Sequence, residues 1–101
     1  MRKLHTVNKS PHTSIALSSC LNLISPQSAL VLIEDGVYAA VGSATHIQQL
    51  NSPLGIKLYA LKPDLEARGL IETQLLSDIE VIEYIDFVDL VAAYSSVVAW
   101  S

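Results

Sequence analysis

The sequence contains a single cysteine, Cys20, among 101 residues. One cysteine cannot form an internal disulfide, which fits a protein of the reducing cytoplasm. It is also far short of the ligand set of a zinc site, and the three histidines, His5, His12 and His46, are scattered along the chain. We therefore expect no metal centre, and we interpret His5 and His46 as structural or solvated side chains.

Positive charge is also sparse. The chain has six Lys and Arg residues and a formal net charge of −4, and its basic residues do not cluster beyond Arg2 and Lys3. A protein that binds a phosphate backbone by itself needs a basic patch. Direct nucleic-acid binding is therefore disfavoured, although a partner could still link this chain to an RNA-dependent process.

Glycine-rich loops are missing. The four glycines form neither GxGxxG nor the P-loop pattern GxxxxGK followed by Ser or Thr, the two loops that cradle phosphates. The GxSxG turn of a serine hydrolase is missing as well. The carboxylate pairs Glu34/Asp35 and Asp86/Asp89 stand at predicted helix starts, where capping explains them. We expect no organic cofactor, and a flavodoxin-like ligand binder is the weakest of the functions considered.

Long apolar runs are lacking too. No stretch approaches the roughly 20 apolar residues of a membrane span. The N-terminal stretch MRKLHTVNKSPHT is basic without the apolar segment of a signal peptide. The sequence predicts a cytoplasmic protein that is not inserted in a membrane.

Apolar side chains are abundant. Half of the residues are hydrophobic and only 16% are charged. We predict a single domain over residues 1–101, and a domain of this size has much surface for its volume. Some of its apolar area is therefore expected to be covered by a partner.

Apolar runs alternate with helical patterns along the chain. The predicted strands are Leu4–Asn8, Ala29–Ile33, Ile56–Leu61, Ile79–Tyr84 and the terminal SSVVAW, whose valines favour a strand over a helix. The predicted helices are Ser10–Ile24, about Thr45–Leu50, Pro63–Arg68 and Phe87–Tyr94, the last capped by Asp86. This order predicts an α/β fold: a mostly parallel four- to five-stranded sheet with helices on both faces and right-handed crossovers.

Cys20 is the one candidate nucleophile. It lies on a helical stripe with Leu17, Leu21 and Ile24. No Lys, Arg or His lies within one helical turn to lower its pKa from about 8.5. Free cysteine is also among the most buried residue types. The residues alone favour a structural role for Cys20.

Five segments in order resemble the DsrH/TusB family. They are LHTVNKSP, LVLIEDGVYAAV, KLYALKPDLEARGL, EVIEYIDFVDLV and VVAW, and they span Leu4 to Trp100. The resemblance implies a small α/β fold built on a parallel sheet. It also implies a heterohexamer in which DsrE/TusD-like, DsrF/TusC-like and DsrH/TusB-like subunits each occur twice. The segment LHTVNKSP and the cysteine in the first helix are more similar to the DsrH side.

The resemblance also implies a function. Complexes of this kind carry persulfide sulfur between proteins and pass it to a downstream sulfur-carrier protein. The pathway is tRNA wobble-uridine 2-thiolation in the Tus system and sulfur oxidation in the Dsr system. The principal sulfur-carrying cysteine is on the DsrE/TusD subunit. By this resemblance the chain is part of a sulfurtransferase complex and not catalytic alone, with Cys20 as an auxiliary sulfur carrier. The alternative is a purely structural subunit with no chemistry of its own.

Overall fold

The computed structural model describes residues 2–41, 55–76 and 78–101. Within these residues five strands pair, all in parallel, into one sheet with the order β4-β3-β2-β1-β5. The strands are β1 (Leu4–Val7), β2 (Ala29–Leu32), β3 (Lys57–Leu61), β4 (Ile79–Ile82) and β5 (Val97–Trp100). The predicted α/β fold with a mostly parallel sheet is confirmed, and the terminal segment is a strand.

Helices lie between the strands. In the described part of the chain they are α1 (Ala16–Leu23), α2 (Lys62–Ala67) and α3 (Tyr84–Ala93), with 3₁₀ segments at Glu34–Ala40 and Glu72–Gln74. None of the helices in the described ranges is long and apolar enough to cross a membrane. The predicted helical segment Thr45–Leu50 lies outside the described residues.

The strand order places the helices on the two faces of the sheet. From β1 to β4 the chain moves in one direction across the sheet, and right-handed crossovers keep the described parts of these connections on one face. The connection from β4 to β5 returns across the whole sheet, so α3 lies on the opposite face. Two buried clusters agree with this arrangement. Cys20 and Leu65 belong to one, and Ile82 lies in the other, against which Phe87 and Leu90 pack.

The central strands β1 and β2 are buried along their whole length. The sequence ALVL is apolar throughout, as expected for a strand that is covered on both faces, whereas LHTV also buries the polar side chains of His5 and Thr6. The edge strands β4 and β5 include exposed residues instead. The core therefore sits on both sides of β1 and β2.

The first helix begins later than its periodicity predicts. The carbonyl of Ser10 accepts hydrogen bonds from the backbone N–H groups of Thr13 and Ser14, which forms a turn. The α1 helix begins only at Ala16. The spacing of apolar side chains cannot predict this turn, because the turn is formed by hydrogen bonds between backbone groups.

The last helix begins earlier than predicted, at Tyr84 rather than Phe87. Asp86 consequently lies inside its first turn and is not the residue that precedes it. From there its carboxylate accepts a hydrogen bond from the backbone N–H of Glu83 at 2.9 Å. The predicted cap position of Asp86 is wrong, although the side chain does satisfy a donor at the start of the helix.

Gly36 is required where the ends of β1 and β2 meet. An added Cβ at this position would lie 2.0 Å from the carbonyl oxygen of Val7. That carbonyl also accepts the N–H of Ile33 at 3.1 Å. Nearby Glu34 has a φ of +49°, a left-handed conformation that is uncommon for a residue with a side chain. The turn after β2 is therefore closely fitted to the end of β1.

Candidate functional site

The α1 helix places Cys20 in the core. Leu17, Cys20 and Ile24 are all buried, and Cys20 has no exposed area. Burial raises the pKa of the Cys20 thiol from 9.0 to about 12, because a thiolate loses its hydration among apolar side chains. At neutral pH Cys20 is a neutral, enclosed thiol.

A thiol in this state is a poor nucleophile. Thiol exchange requires both the thiolate form and access to the reacting sulfur, and Cys20 has neither in this conformation. The exposed apolar residues beside it, Ile15 and Leu23, lie away from the core. The geometry favours the structural role, and the carrier role of Cys20 stays a prediction that requires α1 to open.

Charged side chains at the carboxyl ends of β2 and β3 hold the neighbouring turns together. Asp64 Oδ2 accepts the backbone N–H of Glu34 at 2.7 Å, which supports the left-handed conformation of Glu34. Arg68 Nε donates to Asp35 Oδ1 at 2.9 Å, and Arg68 Nη1 donates to the carbonyl of Asp64 at 3.0 Å. These contacts agree with the structural interpretation of the Glu34/Asp35 pair.

The crevice between β3 and β4 is the usual place for a ligand in a sheet of this kind. The connections that follow these two neighbouring strands leave on opposite faces, and open α/β sheets bind ligands at such a point. Here the crevice is bridged by an ion pair, with Lys62 Nζ 3.5 Å from Glu83 Oε2. The turns LKPDLE and IEYIDF contain no cysteine, histidine or glycine. The crevice therefore offers neither a nucleophile nor a phosphate-binding loop.

The buried His5 and the partly buried Trp100 form a pair that joins β1 to β5. Trp100 Nε1 donates to His5 Nδ1 at 3.1 Å, and the rings stack with centroids 6.3 Å apart. Burial, and then the charge of Lys3, lowers the pKa of His5. Since Nδ1 accepts a hydrogen bond, the neutral ring carries its proton on Nε2, which has no hydrogen-bond partner among the described residues. The structural interpretation of His5 agrees with this contact.

His12 is exposed in the turn after β1, and His46 lies outside the described residues. In the parts of the chain that the structure describes, no three His, Cys, Asp or Glu side chains are grouped so that they could hold a metal ion.

The outer side of α3 carries exposed apolar residues that the periodicity of the sequence does not predict. Tyr84, Ile85, Val88 and Val91 are exposed by 63%, 70%, 48% and 40%. A predicted start at Phe87 leaves the first two of these outside the helix. The sequence of α3 does indicate this surface, because the helix is apolar on nearly all sides, whereas an ordinary surface helix is polar on its outer side.

The fold and the site define a small parallel α/β protein without a self-contained catalytic constellation in its described part. A model of the DsrH like protein family matches residues 9–97, and the chain therefore belongs to the DsrH family. TusB of Shigella flexneri is 45% identical over 98 residues, which cover 96% of this chain and 99% of that protein. TusB of Escherichia coli O139:H28 is 44% identical over the same length, with the same coverage of both chains.

Solved structures with low sequence identity share the fold. The crystal structure of the ychN protein of E. coli matches with a TM-score of 0.80 and 16% identity, over 98% of this chain and 99% of that one. A protein of unknown function from Methanobacterium thermoautotrophicum matches with a TM-score of 0.72 and 16% identity, over 94% and 96% of the two chains. At this identity the likeness concerns the fold alone.

Proposed function

We propose that this chain is a non-principal subunit of a cytoplasmic sulfur-relay complex of the DsrEFH/TusBCD type, which transfers persulfide sulfur between proteins. Membership of the DsrH family and 45% identity to a TusB protein along nearly the whole of both chains support this proposal. The partners are DsrE/TusD-like and DsrF/TusC-like subunits in a heterohexamer, with a downstream sulfur-carrier protein. The TusB relatives favour tRNA wobble-uridine 2-thiolation over sulfur oxidation.

The chain contributes surface to the complex rather than the principal reacting thiol. The observation that carries this assignment is the complete burial of Cys20, which raises the pKa of its thiol to about 12. Only a very small fraction of such a thiol is ionised at neutral pH. The structural-subunit role is therefore the one that the geometry supports best.

An auxiliary carrier role for Cys20 is a narrower second hypothesis. The Cys20 thiolate would attack the terminal sulfur of a partner's persulfide, form a Cys20 persulfide and release the partner's thiolate, without metal or cofactor. The step requires α1 to leave the sheet, which would also expose Leu17 and Ile24. Exposing each of these side chains costs about 1.5–3 kcal/mol. This cost weighs against Cys20 as a routine carrier.

Co-expression tests the assembly. The chain is produced together with a DsrE/TusD-like and a DsrF/TusC-like subunit, and the product is analysed by native mass spectrometry. We expect one complex with two copies of each subunit. A chain that stays monomeric in the presence of both subunits would contradict the proposal.

A sulfur-loading experiment separates the two roles of Cys20. The complex with wild-type chain and the complex with the Cys20→Ala variant are incubated with a persulfide donor, and each subunit is weighed by intact mass spectrometry. For the structural role we expect no added sulfur on this chain and equal sulfur transfer by both complexes. One added sulfur on the wild-type chain, lost in Cys20→Ala together with transfer, would identify Cys20 as a carrier.

A further inference from the structure

The exterior of α3 is an apolar surface that no other described element covers. Tyr84, Ile85, Val88 and Val91, which we name the α3 strip, are spaced so that they share one side of the helix. Each is at least 40% exposed. The inward side of the helix packs separately on the sheet through residues that include Phe87. The α3 strip is therefore not needed to attach the helix to its own sheet.

Val97 extends the exposed apolar area on the same sheet face. It is the neighbour of Leu4 in the β1–β5 pairing, so the two side chains point to the same face. Leu4 belongs to the buried cluster against which α3 packs, whereas Val97 is 43% exposed. Exposed apolar side chains that are grouped and bordered by polar ones mark protein–protein contact surfaces.

Carboxylates border the α3 strip. Asp86 and Asp89 lie on the helix itself, which has no basic residue, and Glu83 directly precedes it. Glu80 of β4 joins the two aspartates and Tyr59 in lining a groove of about 360 Å³ beside the helix. This border is acidic along the side of the helix that faces β4.

The basic side chains nearby neutralise only Glu83 of this border. Lys62 forms its ion pair with Glu83, and Arg2 lies over the ring of Tyr94, 5.7 Å from its centroid. Among the described residues, neither Glu80 nor Asp89 forms an ion pair. The α3 strip is therefore presented beside unneutralised negative charge.

The charge decides which partner fits. Two copies of this chain joined through the α3 strip by a two-fold axis, with their α3 helices antiparallel, would bring Asp86 and Asp89 of each chain towards the same residues of the other, and such like charges repel. A different protein that offers apolar side chains bordered by Lys and Arg would bury the α3 strip and pair with the carboxylates.

We propose that the α3 strip and its acidic border form the surface through which this chain binds a different subunit of its complex, one with an apolar patch bordered by basic residues. The inference rests on the proposed function, because it takes the partner from the sulfur-relay complex. It adds the face of the chain that makes the contact and the chemistry of the surface that meets it.

Two double variants test the surface. Ile85→Ser with Val88→Ser removes apolar area, and Glu80→Lys with Asp89→Lys reverses charge without removing the hydrogen bond of Asp86 to the helix start. Leu23→Ser, 72% exposed on α1, and Glu66→Lys, exposed on α2, are matched controls on the opposite sheet face. Binding to the co-expressed DsrE/TusD-like and DsrF/TusC-like subunits is measured at low and high salt. Circular dichroism melting checks that each variant folds.

We expect each α3 variant to weaken the complex about tenfold or more, as at the centre of an interface, and the controls to bind like wild type. Salt should weaken the wild-type complex and have little effect on the charge-reversed one. Wild-type affinity in both α3 variants, or an equal loss in Leu23→Ser, would overturn the inference while the complex itself still forms. A homodimer abolished by the α3 variants would overturn it in favour of a second copy. If the wild-type chain binds neither subunit, the proposed function fails and the inference fails with it.

Discussion

The burial of Cys20 can be tested by the rate at which it reacts with an alkylating reagent. The ordinary pKa of 9.0 rises to about 12 in the folded chain. At about pH 8 the thiolate fraction therefore falls from about one tenth in the unfolded chain to about one part in ten thousand in the folded chain. Ionisation alone predicts a reaction roughly a thousandfold slower than in the unfolded chain, since only the thiolate attacks.

Steric protection restricts the reaction further, to the molecules in which α1 is open. Cys20 has no exposed area and lies in the apolar cluster between α1 and the sheet. Iodoacetamide can reach the sulfur only when α1 opens. The observed rate then equals the rate for the unfolded chain multiplied by the fraction of open molecules, so it should increase steeply with small amounts of urea.

The measurement is intact mass spectrometry after timed labelling at about pH 8, in native buffer and in concentrated urea. The chain has one cysteine, so each adduct reports on Cys20. The matched control is Cys20→Ala with Asn22→Cys, which moves the thiol to an exposed position on the same helix. This control should react within a few-fold of the unfolded chain. Labelling of folded wild type at a comparable rate would show an accessible thiol and refute the structural role assigned to Cys20.

Three further predictions concern the contacts around β1. Gly36→Ala should lower the free energy of unfolding by about 3 kcal/mol, because the new Cβ would clash with the carbonyl of Val7; an unchanged urea midpoint would contradict this close approach. Burial and then Lys3 lower the pKa of His5 in the folded chain. The stability that neutral His5 contributes is therefore fully present above the ordinary pKa of 6.5 and is lost as the pH falls towards the lower folded pKa. The free energies of unfolding of wild type and His5→Asn, measured by urea titration, should diverge as the pH falls below 6.5. The same pH dependence in both proteins would contradict this prediction. Trp100→Phe should cost about 1 kcal/mol, since it removes the hydrogen bond to Nδ1, and should speed amide exchange in β5 measured by NMR.

Much of the fold can be predicted from the sequence because its strands are short runs rich in branched or aromatic residues. The run ALVL predicts a strand that is covered on both faces, and it is the central strand of the sheet. Helix boundaries are less predictable, because backbone hydrogen bonds decide them. The turn at Ser10 delays α1, and the donor on Glu83 that Asp86 satisfies allows α3 to begin at Tyr84.

The site is predictable only where it depends on local spacing. The helical stripe with Leu17 and Ile24 favours a core position for Cys20 but leaves open whether the stripe faces the sheet or a partner; the structure places Cys20 in the core cluster. The pairing of His5 with Trp100 joins residues 95 positions apart, and no local period reports such a contact. The exposure of Val88 depends on which side of α3 meets the sheet, which an almost uniformly apolar helix does not specify.

The pairing of β1 with β5 also limits the order in which this protein can fold. β1 is a central strand, but one of its two neighbours follows it by more than ninety residues, as the contact of His5 with Trp100 shows. Contacts so distant in sequence close a long loop and are slow to form. Until β5 docks, β1 keeps an open strand edge that can pair with other chains. The interval before the last strand joins the sheet is therefore when this chain is most exposed to aggregation.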